Sequence, residues 1–227
     1  MANSQYSSGE KQFKFLLVGN EAVGKTCLAL RFTQDKFDKL YKQTVGVDFF
    51  LKRIILPGSV NVTLQLWDIG GQSLGGEMFD KYLYGAHAIL FVYDITNEES
   101  FSDLEDWLRI VHQVFNEECI MPHLALVSNK GDLEHNRVVK PDKHIKFALD
   151  NGMSSHTVCA KTGESVALCF QKIAGELLGI RLTRSEQETV QPVVKAEIVQ
   201  SLPTTSEANT AAPPSNAAKN SSVCTLQ

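Results

Sequence analysis

The sequence predicts an α/β fold with a mostly parallel sheet, and three observations predict it. An apolar run at residues 13–18 feeds a glycine-containing loop, G-N-E-A-V-G-K-T at residues 19–26, which opens into a helix-like stretch at 27–32. Strand-like and helix-like segments then alternate to about residue 178, the pattern of parallel strands joined by crossover helices. One hairpin signal, Pro57-Gly58-Ser59, interrupts the alternation and supplies the antiparallel exception.

The elements follow in order. Residues 1–12 are polar and expected to be unordered. After the first strand and helix, residues 33–44 lack periodicity and hold Phe37, Tyr41 and Thr44, which predicts a mobile loop. Residues 47–56 and 61–68 form the hairpin, and Ile69-Gly70-Gly71-Gln72-Ser73-Leu74-Gly75-Gly76 predicts a segment that changes shape. Residues 86–92 read as a buried strand. A helix begins at Thr96 or Asn97, with Phe101, Leu104, Leu108 and Val111 on its apolar face. A strand at 124–127, a helix opened by Pro141 and stopped by Gly152, a strand at 156–159 and a last helix from Thr162 or Gly163 to about 178 complete the domain. Six strands result.

With 227 residues, the chain suits one domain and an appendage rather than two full domains. A net charge of −4 without a basic cluster argues against a nucleic-acid surface. The five cysteines, Cys27, Cys119, Cys159, Cys169 and Cys224, have no C-x-x-C spacing, so neither a zinc site nor a disulfide frame is expected and a reducing compartment is. No apolar run reaches the roughly 18 residues of a membrane span, and residues 1–11 carry no secretory signal. From Arg184 the composition turns to Ser, Thr, Ala, Pro, Asn, Gln and Glu, which predicts a flexible tether, with a possible amphipathic fragment at 193–199.

The chemistry lies in the loops after the strands. A strand-loop-helix that fits G-x-x-x-x-G-K-[ST] aims backbone N–H groups and the positive helix end at one anion. Gly19 and Gly24 let the loop wrap phosphates, Lys25 would bridge the terminal ones, and the Thr26 hydroxyl would ligate Mg²⁺. Glu21, Ala22, Val23 and Cys27 complete that loop. N-K-G-D at residues 129–132 ends another strand, where Asp132 would accept two N–H bonds from a guanine edge that adenine lacks. Cys159-Ala160-Lys161 follows the last strand. A phosphate loop serving ATP, in a kinase or ATPase, is the competing reading; Asn129 and Asp132 speak against it.

Together these motifs resemble a Ras-superfamily small GTPase, and within it a Rab. The resemblance covers residues 13–180. It rests on the phosphate loop, T-V-G-V-D-F from Thr44, L-Q-L-W-D-I-G-G-Q ending at Gln72, Y-L-Y-G-A-H from Tyr82, V-Y-D-I-T, N-K-G-D and C-A-K. W-D-I-G-G-Q and the terminal Cys224-Thr225-Leu226-Gln227 make it most similar to the divergent, CaaX-ending Rab subfamily numbered twenty-eight.

The resemblance implies the small-GTPase fold, with a six-stranded sheet, one antiparallel strand and helices on both faces, over residues 13–183. It implies Mg²⁺ and GTP or GDP in the cleft, Thr44 and Thr26 as metal ligands, and Asp68 holding a metal-bound water. Gly71 would bond the γ-phosphate through its N–H, Gln72 would orient the attacking water, Phe37 would stack on guanine, and Tyr41 could close over the phosphates. Lys130, Cys159, Ala160 and Lys161 would complete the base site. Phe49, Trp67 and Tyr82 would present the switch state to effectors, although Phe37 and Trp67 could equally be packing residues. Implied partners are an exchange factor, an activating protein that supplies an arginine in trans, effectors and a prenyl-binding carrier. The protein would be a monomer, cytoplasmic and attached to membranes through a prenyl group on Cys224, the final Gln pointing to farnesyl.

Several residues depart from the family. Glu21 replaces a Gly or small residue, and slow hydrolysis is expected if its carboxylate faces the γ-phosphate rather than solvent; a GTP-bound scaffold that rarely hydrolyses is the alternative. Ala22 stands where Gly is common. Ile69, Gly70 and Ser73 suggest a looser second switch.

Overall fold

Phe15, Leu16, Leu17 and Val18 are all fully buried, so the strand that carries them must be covered on both faces. In the computed structural model, which describes residues 11–38, 40–115 and 120–190, this strand is β1 (Lys11–Val18), near the centre of a six-stranded sheet. The other strands are β2 (Val47–Leu56), β3 (Val60–Ile69), β4 (Ala88–Asp94), β5 (His123–Asn129) and β6 (Ser154–Thr157). Their order is β2-β3-β1-β4-β5-β6, parallel throughout except for the β2–β3 hairpin. That hairpin closes through Gly58 and Ser59, both at positive φ.

Successive β1 side chains point to opposite faces, and this divides the core. Phe15 and Leu17 pack with α1 (Lys25–Gln34) and α6 (Val166–Leu177) through Leu28, Phe32, Phe170 and Ile173. Leu16 and Val18 face the opposite layer, built on α2 (Phe79–Leu83), α3 (Glu98–Ser102), α4 (Leu104–Val114) and α5 (Pro141–Asp150). There α4 buries Leu104, Trp107, Leu108 and Val111, the i, i+3, i+4, i+7 stripe of an amphipathic helix. Helices therefore cover both faces, as expected.

Boundaries move where local signals were weak. The helix after β4 starts at Asn97, whose side chain accepts the Ser100 N–H at 3.1 Å, and it is broken at Asp103 between α3 and α4. The last strand is Ser154–Thr157 rather than 156–159, and Cys159 and Ala160 fall in the loop beyond it. Lys11 and Gln12 belong to β1, so the expected unordered start is shorter; residues 1–10 lie outside the described residues. At the other end Arg184–Val190 is a helix, α7, not extended tether. Thr183 and Glu186 explain it. The Thr183 N–H and hydroxyl each donate to Glu186 Oε2 at 2.7 Å, and Glu186 N donates back to the Thr183 hydroxyl at 3.4 Å, a T-x-x-E capping box that the composition hid. Residues 191–227, with the 193–199 fragment and Cys224, lie outside the described residues, as does Cys119. Among the described helices none is long and apolar enough to cross a membrane.

Two histidines are buried beside β5 and β6. His144 Nδ1 and the Tyr93 hydroxyl share a hydrogen bond of 3.0 Å, and His156 Nε2 meets the Ser154 hydroxyl at 3.0 Å. Burial, helped by the charge of Arg137, lowers the His144 pKa to about 4; burial, helped by Lys172, His123 and His144, lowers that of His156 to about 4. An unfolded histidine titrates near 6.5, so between roughly pH 6.5 and 4 the unfolded chain binds more protons and stability falls as pH falls. We expect a loss on the order of 2–3 kcal/mol per histidine by about pH 4. Urea unfolding from pH 7 to 4 checks this: the midpoint should fall across that window, and a His156→Asn variant should show a flatter profile.

Candidate functional site

The loop between β1 and α1 is wrapped tightly by its glycines. Gly19 has φ +131° and a Cβ there would overlap the Val92 carbonyl; Gly24, at φ +96°, would strike the Asn129 amide and serves as the N-cap of α1. Ala22 sits at φ 58°, a left-handed conformation that costs a residue bearing a Cβ about 1–2 kcal/mol. Inside the loop the Lys25 ammonium is buried, donating to the Gly19 and Asn20 carbonyls at 2.7 Å each. Burial lowers its pKa to about 8, against the opposing pull of Asp68 and Glu21. An anion in the loop would relieve that cost.

At the start of α1, three oxygens converge from three elements. Thr26 Oγ1 donates to Asp68 Oδ2 at 2.5 Å and lies 2.9 Å from Thr44 Oγ1, which also donates to Asp68 Oδ2 at 3.2 Å. Asp68 is fully buried, and burial raises its pKa despite the Thr26 hydrogen bond and the charge of Lys25. Its Oδ1 is the one buried side-chain N or O atom without a partner among the described residues. An all-oxygen set with an unsatisfied carboxylate suits a hard divalent cation such as Mg²⁺. No group of three His, Cys, Asp or Glu forms a metal cage among the described residues, so phosphate oxygens and water would have to complete the shell.

The glycine-rich segment after β3 packs closely on both the phosphate loop and the loop before β2. Gly70 N–H donates to the Gly46 carbonyl at 2.8 Å; a Cβ on Gly70 would overlap the Thr44 carbonyl, and one on Gly71 the Glu21 backbone. The missing side chain of Gly70 is what allows this close approach. Glu21 is exposed but does not point away: its carboxylate accepts from Gln72 Nε2 at 3.4 Å and from Gln43 Nε2 at 3.3 Å. Tyr41, whose phenol pKa is raised by burial and by the charge and hydrogen bond of Glu21, stands on the same side.

At the other end, the Asn129 amide donates to the Val23 carbonyl at 2.8 Å and its Oδ1 accepts the Ala160 N–H at 3.1 Å, locking three loops together. Asp132 accepts from Cys159 Sγ at 3.2 Å and from Lys161 Nζ at 2.9 Å. Burial works to raise its pKa, but those two bonds and the Lys161 charge hold it below the usual range. The Cys159 thiol thus helps to fix the Asp132 carboxylate. Lys130 pairs with Asp94 at 2.6 Å.

One cleft of about 830 Å³ joins these parts, within the size range of ligand sites. Glu21, Ala22, Gly24, Lys25, Thr26, Cys27, Phe37, Tyr41, Thr44, Gly71, Asn129, Lys130, Asp132, Ala160 and Lys161 line it. Gly19, Val23, Cys159 and Asp68 form the layer behind, and Gln72 stands at the rim beside Glu21. Outside the cleft Phe49, Trp67 and Tyr82 group together, Phe49 edge-on to Trp67 at 4.5 Å and Tyr82 6.4 Å beyond, with Lys14 Nζ 3.6 Å over the indole. Trp67 is therefore half-buried by its aromatic neighbours. Two site residues escaped sequence reasoning. Asn20 bonds Asp103 at 2.6 Å and the Trp107 indole at 3.2 Å, and Arg31 bonds three loop carbonyls; neither pairing leaves a local signal.

A 2-3-1-4-5-6 sheet with one antiparallel strand and a phosphate loop after β1 defines a P-loop protein of the small-GTPase fold. Comparison with known proteins agrees. The Ras family pattern matches residues 14–179. Ras-related protein Rab-28 of Caenorhabditis elegans is 42% identical over 217 residues, 96% of this chain and 87% of that protein. Ras-related protein Rab-10 of the same organism is 36% identical over 184 residues, 80% of this chain and 90% of its own. Ras-related protein Rab-13 of Canis lupus familiaris is 36% identical over 166 residues, covering 73% and 80%. The chain belongs to the Ras family, on its Rab branch, and is a small GTPase that hydrolyses GTP to GDP and phosphate.

Proposed function

We propose that the chain is a Rab-type switch in intracellular membrane or vesicle traffic, which binds effectors when loaded with GTP and turns over slowly. The observation that carries this reading is the single cleft that joins the buried ammonium of Lys25, the Thr26–Thr44–Asp68 oxygens and the Asn129–Asp132–Ala160 base end. Lys25 and the loop N–H groups hold the β- and γ-phosphates. Thr26 and Thr44 would hold Mg²⁺, with Asp68 on a metal-bound water, and the ion would supply charge neutralisation for the phosphates. Asp132 accepts the guanine N–H pair, Asn129 and Lys130 frame that end, Ala160 lies beside the base, and Phe37 stacks on it while Tyr41 closes over the phosphates. Gln72 orients a water for in-line attack on the γ-phosphorus; the bond to the β–γ bridging oxygen breaks and GDP leaves. The Gly71 N–H meets the transferred group. When it departs, the contacts that order Thr44 and Gly71 go with it, and both loops relax.

Slow turnover is supported by the contact of Gln72 Nε2 with Glu21 Oε1 at 3.4 Å, which sets a carboxylate beside the residue that would orient the water. The same contact supports the second reading, a GTP-bound scaffold with little hydrolysis. Phe49, Trp67 and Tyr82 form the effector surface. An exchange factor, an activating protein supplying an arginine in trans, and a prenyl-binding carrier act on a monomer. Farnesylation of Cys224 in the terminal C-T-L-Q would attach the protein reversibly to the cytoplasmic face of a membrane, one lipid giving only marginal binding.

Three experiments test this. The purified protein should bind GTP and GDP in preference to ATP, and Asp132→Asn, which exchanges one acceptor oxygen for a donor, should lose guanine affinity by a factor on the order of 10² and gain xanthosine nucleotides; ATP binding as tight as GTP would reject the assignment. In single-turnover hydrolysis Glu21→Gly should be faster by about tenfold or more, and equal rates would remove Glu21 from the account. Cys224→Ser should empty the membrane fraction of cell lysates, and an unchanged fraction would eliminate the anchor.

A further inference from the structure

Arg31 lies in the last turn of α1, and its side chain is only 16% exposed although no acid is buried with it. Its guanidinium is spent on backbone. Nε donates to the Ala160 carbonyl at 2.9 Å, Nη2 to the Lys161 carbonyl at 2.7 Å, and Nη1 to both the carbonyl and the carboxylate of Asp35, at 3.1 and 2.9 Å. A Cβ on Gly163 would lie 3.4 Å from Arg31 Cδ, so the loop after β6 wraps closely against the stem.

Each partner matters to a different part of the cleft. Ala160 and Lys161 are the loop at the base end: the Ala160 N–H is held by Asn129, and Lys161 Nζ is held by Asp132. The Ala160 and Lys161 carbonyls, on the far side of that loop, are held by Arg31. Asp35, at φ 54° and with its N–H on the Arg31 carbonyl, is where α1 stops and the loop that carries Thr44, the first switch loop, departs; Phe37, two residues on, lines the cleft.

We propose that Arg31 is a positioning residue that couples nucleotide release to the order of the first switch loop. It rests on the reading that the cleft holds a guanine nucleotide. The planar fork is what makes the coupling possible, because its donors reach the base loop and the end of α1 at once, whereas a lysine offers a single point charge. Loosening either partner frees the guanidinium from one side and weakens its hold on the other. An exchange factor that pulls the first switch loop would thereby slacken the grip on the base as well as on the metal.

The test measures release of a fluorescent GDP analogue from the full-length protein and from Arg31→Ala, with Mg²⁺ present and after its removal by EDTA. Arg31→Ala should release nucleotide faster, on the order of tenfold for the loss of charged hydrogen bonds, with little change in the association rate. The acceleration caused by EDTA should be smaller in the variant than in the unmutated protein, because the first switch loop is already loosened; a purely structural role would leave that ratio unchanged. If Arg31→Ala fails to fold, Arg31→Lys, which keeps the stem and the charge but not the fork, is expected to show the same two changes. A wild-type release rate, or an equal EDTA factor in both proteins, overturns the coupling alone. Failure of the unmutated protein to retain GDP overturns the reading of the cleft, and the coupling with it.

Discussion

The buried carboxylate of Asp68 is the constraint around which the site is assembled. It ends β3, is fully excluded from solvent, and accepts hydrogen bonds through Oδ2 from Thr26 on α1 and Thr44 on the first switch loop. Burying a carboxylate is costly; the charge of Lys25 offsets part of that cost, and the unpartnered Oδ1 leaves part of it unrelieved. A divalent cation with phosphate oxygens would satisfy it.

Glycine has two uses in the loops that surround this centre. Gly19 and Gly24 adopt φ values that a side chain would resist, and the phosphate loop closes because of them. Gly70 and Gly71 matter instead for the absence of a Cβ, which lets the second switch segment lie directly on the Thr44 and Glu21 backbone. Glu21 exploits that proximity. Its carboxylate reaches Gln72 after β3 and Gln43 before β2, so one side chain of the phosphate loop gives those two loops a contact with each other. Such exposed hydrogen bonds are individually weak, and their influence comes from which atoms they occupy rather than from their contribution to stability.

The sequence by itself determined the fold class, the hairpin and the chemistry of each loop, because these are written in short-range patterns: apolar runs for buried strands, glycine spacing for the phosphate loop, and a Pro for the start of α5. The same locality explains the misplaced edges. The last strand reads as 156–159 because Val158, Cys159 and Ala160 are as buried as strand residues, yet they belong to the loop that carries the base contact. Only the tertiary structure decided which groups meet. That Arg31 would hold the Ala160 and Lys161 carbonyls, 129 and 130 residues away, that Asn20 would meet Trp107, and that Glu21 would turn toward Gln72 depend on distances set by packing helices against the sheet. Side-chain chemistry is fixed residue by residue, whereas its partners are chosen in space, and a linear pattern records the first without the second.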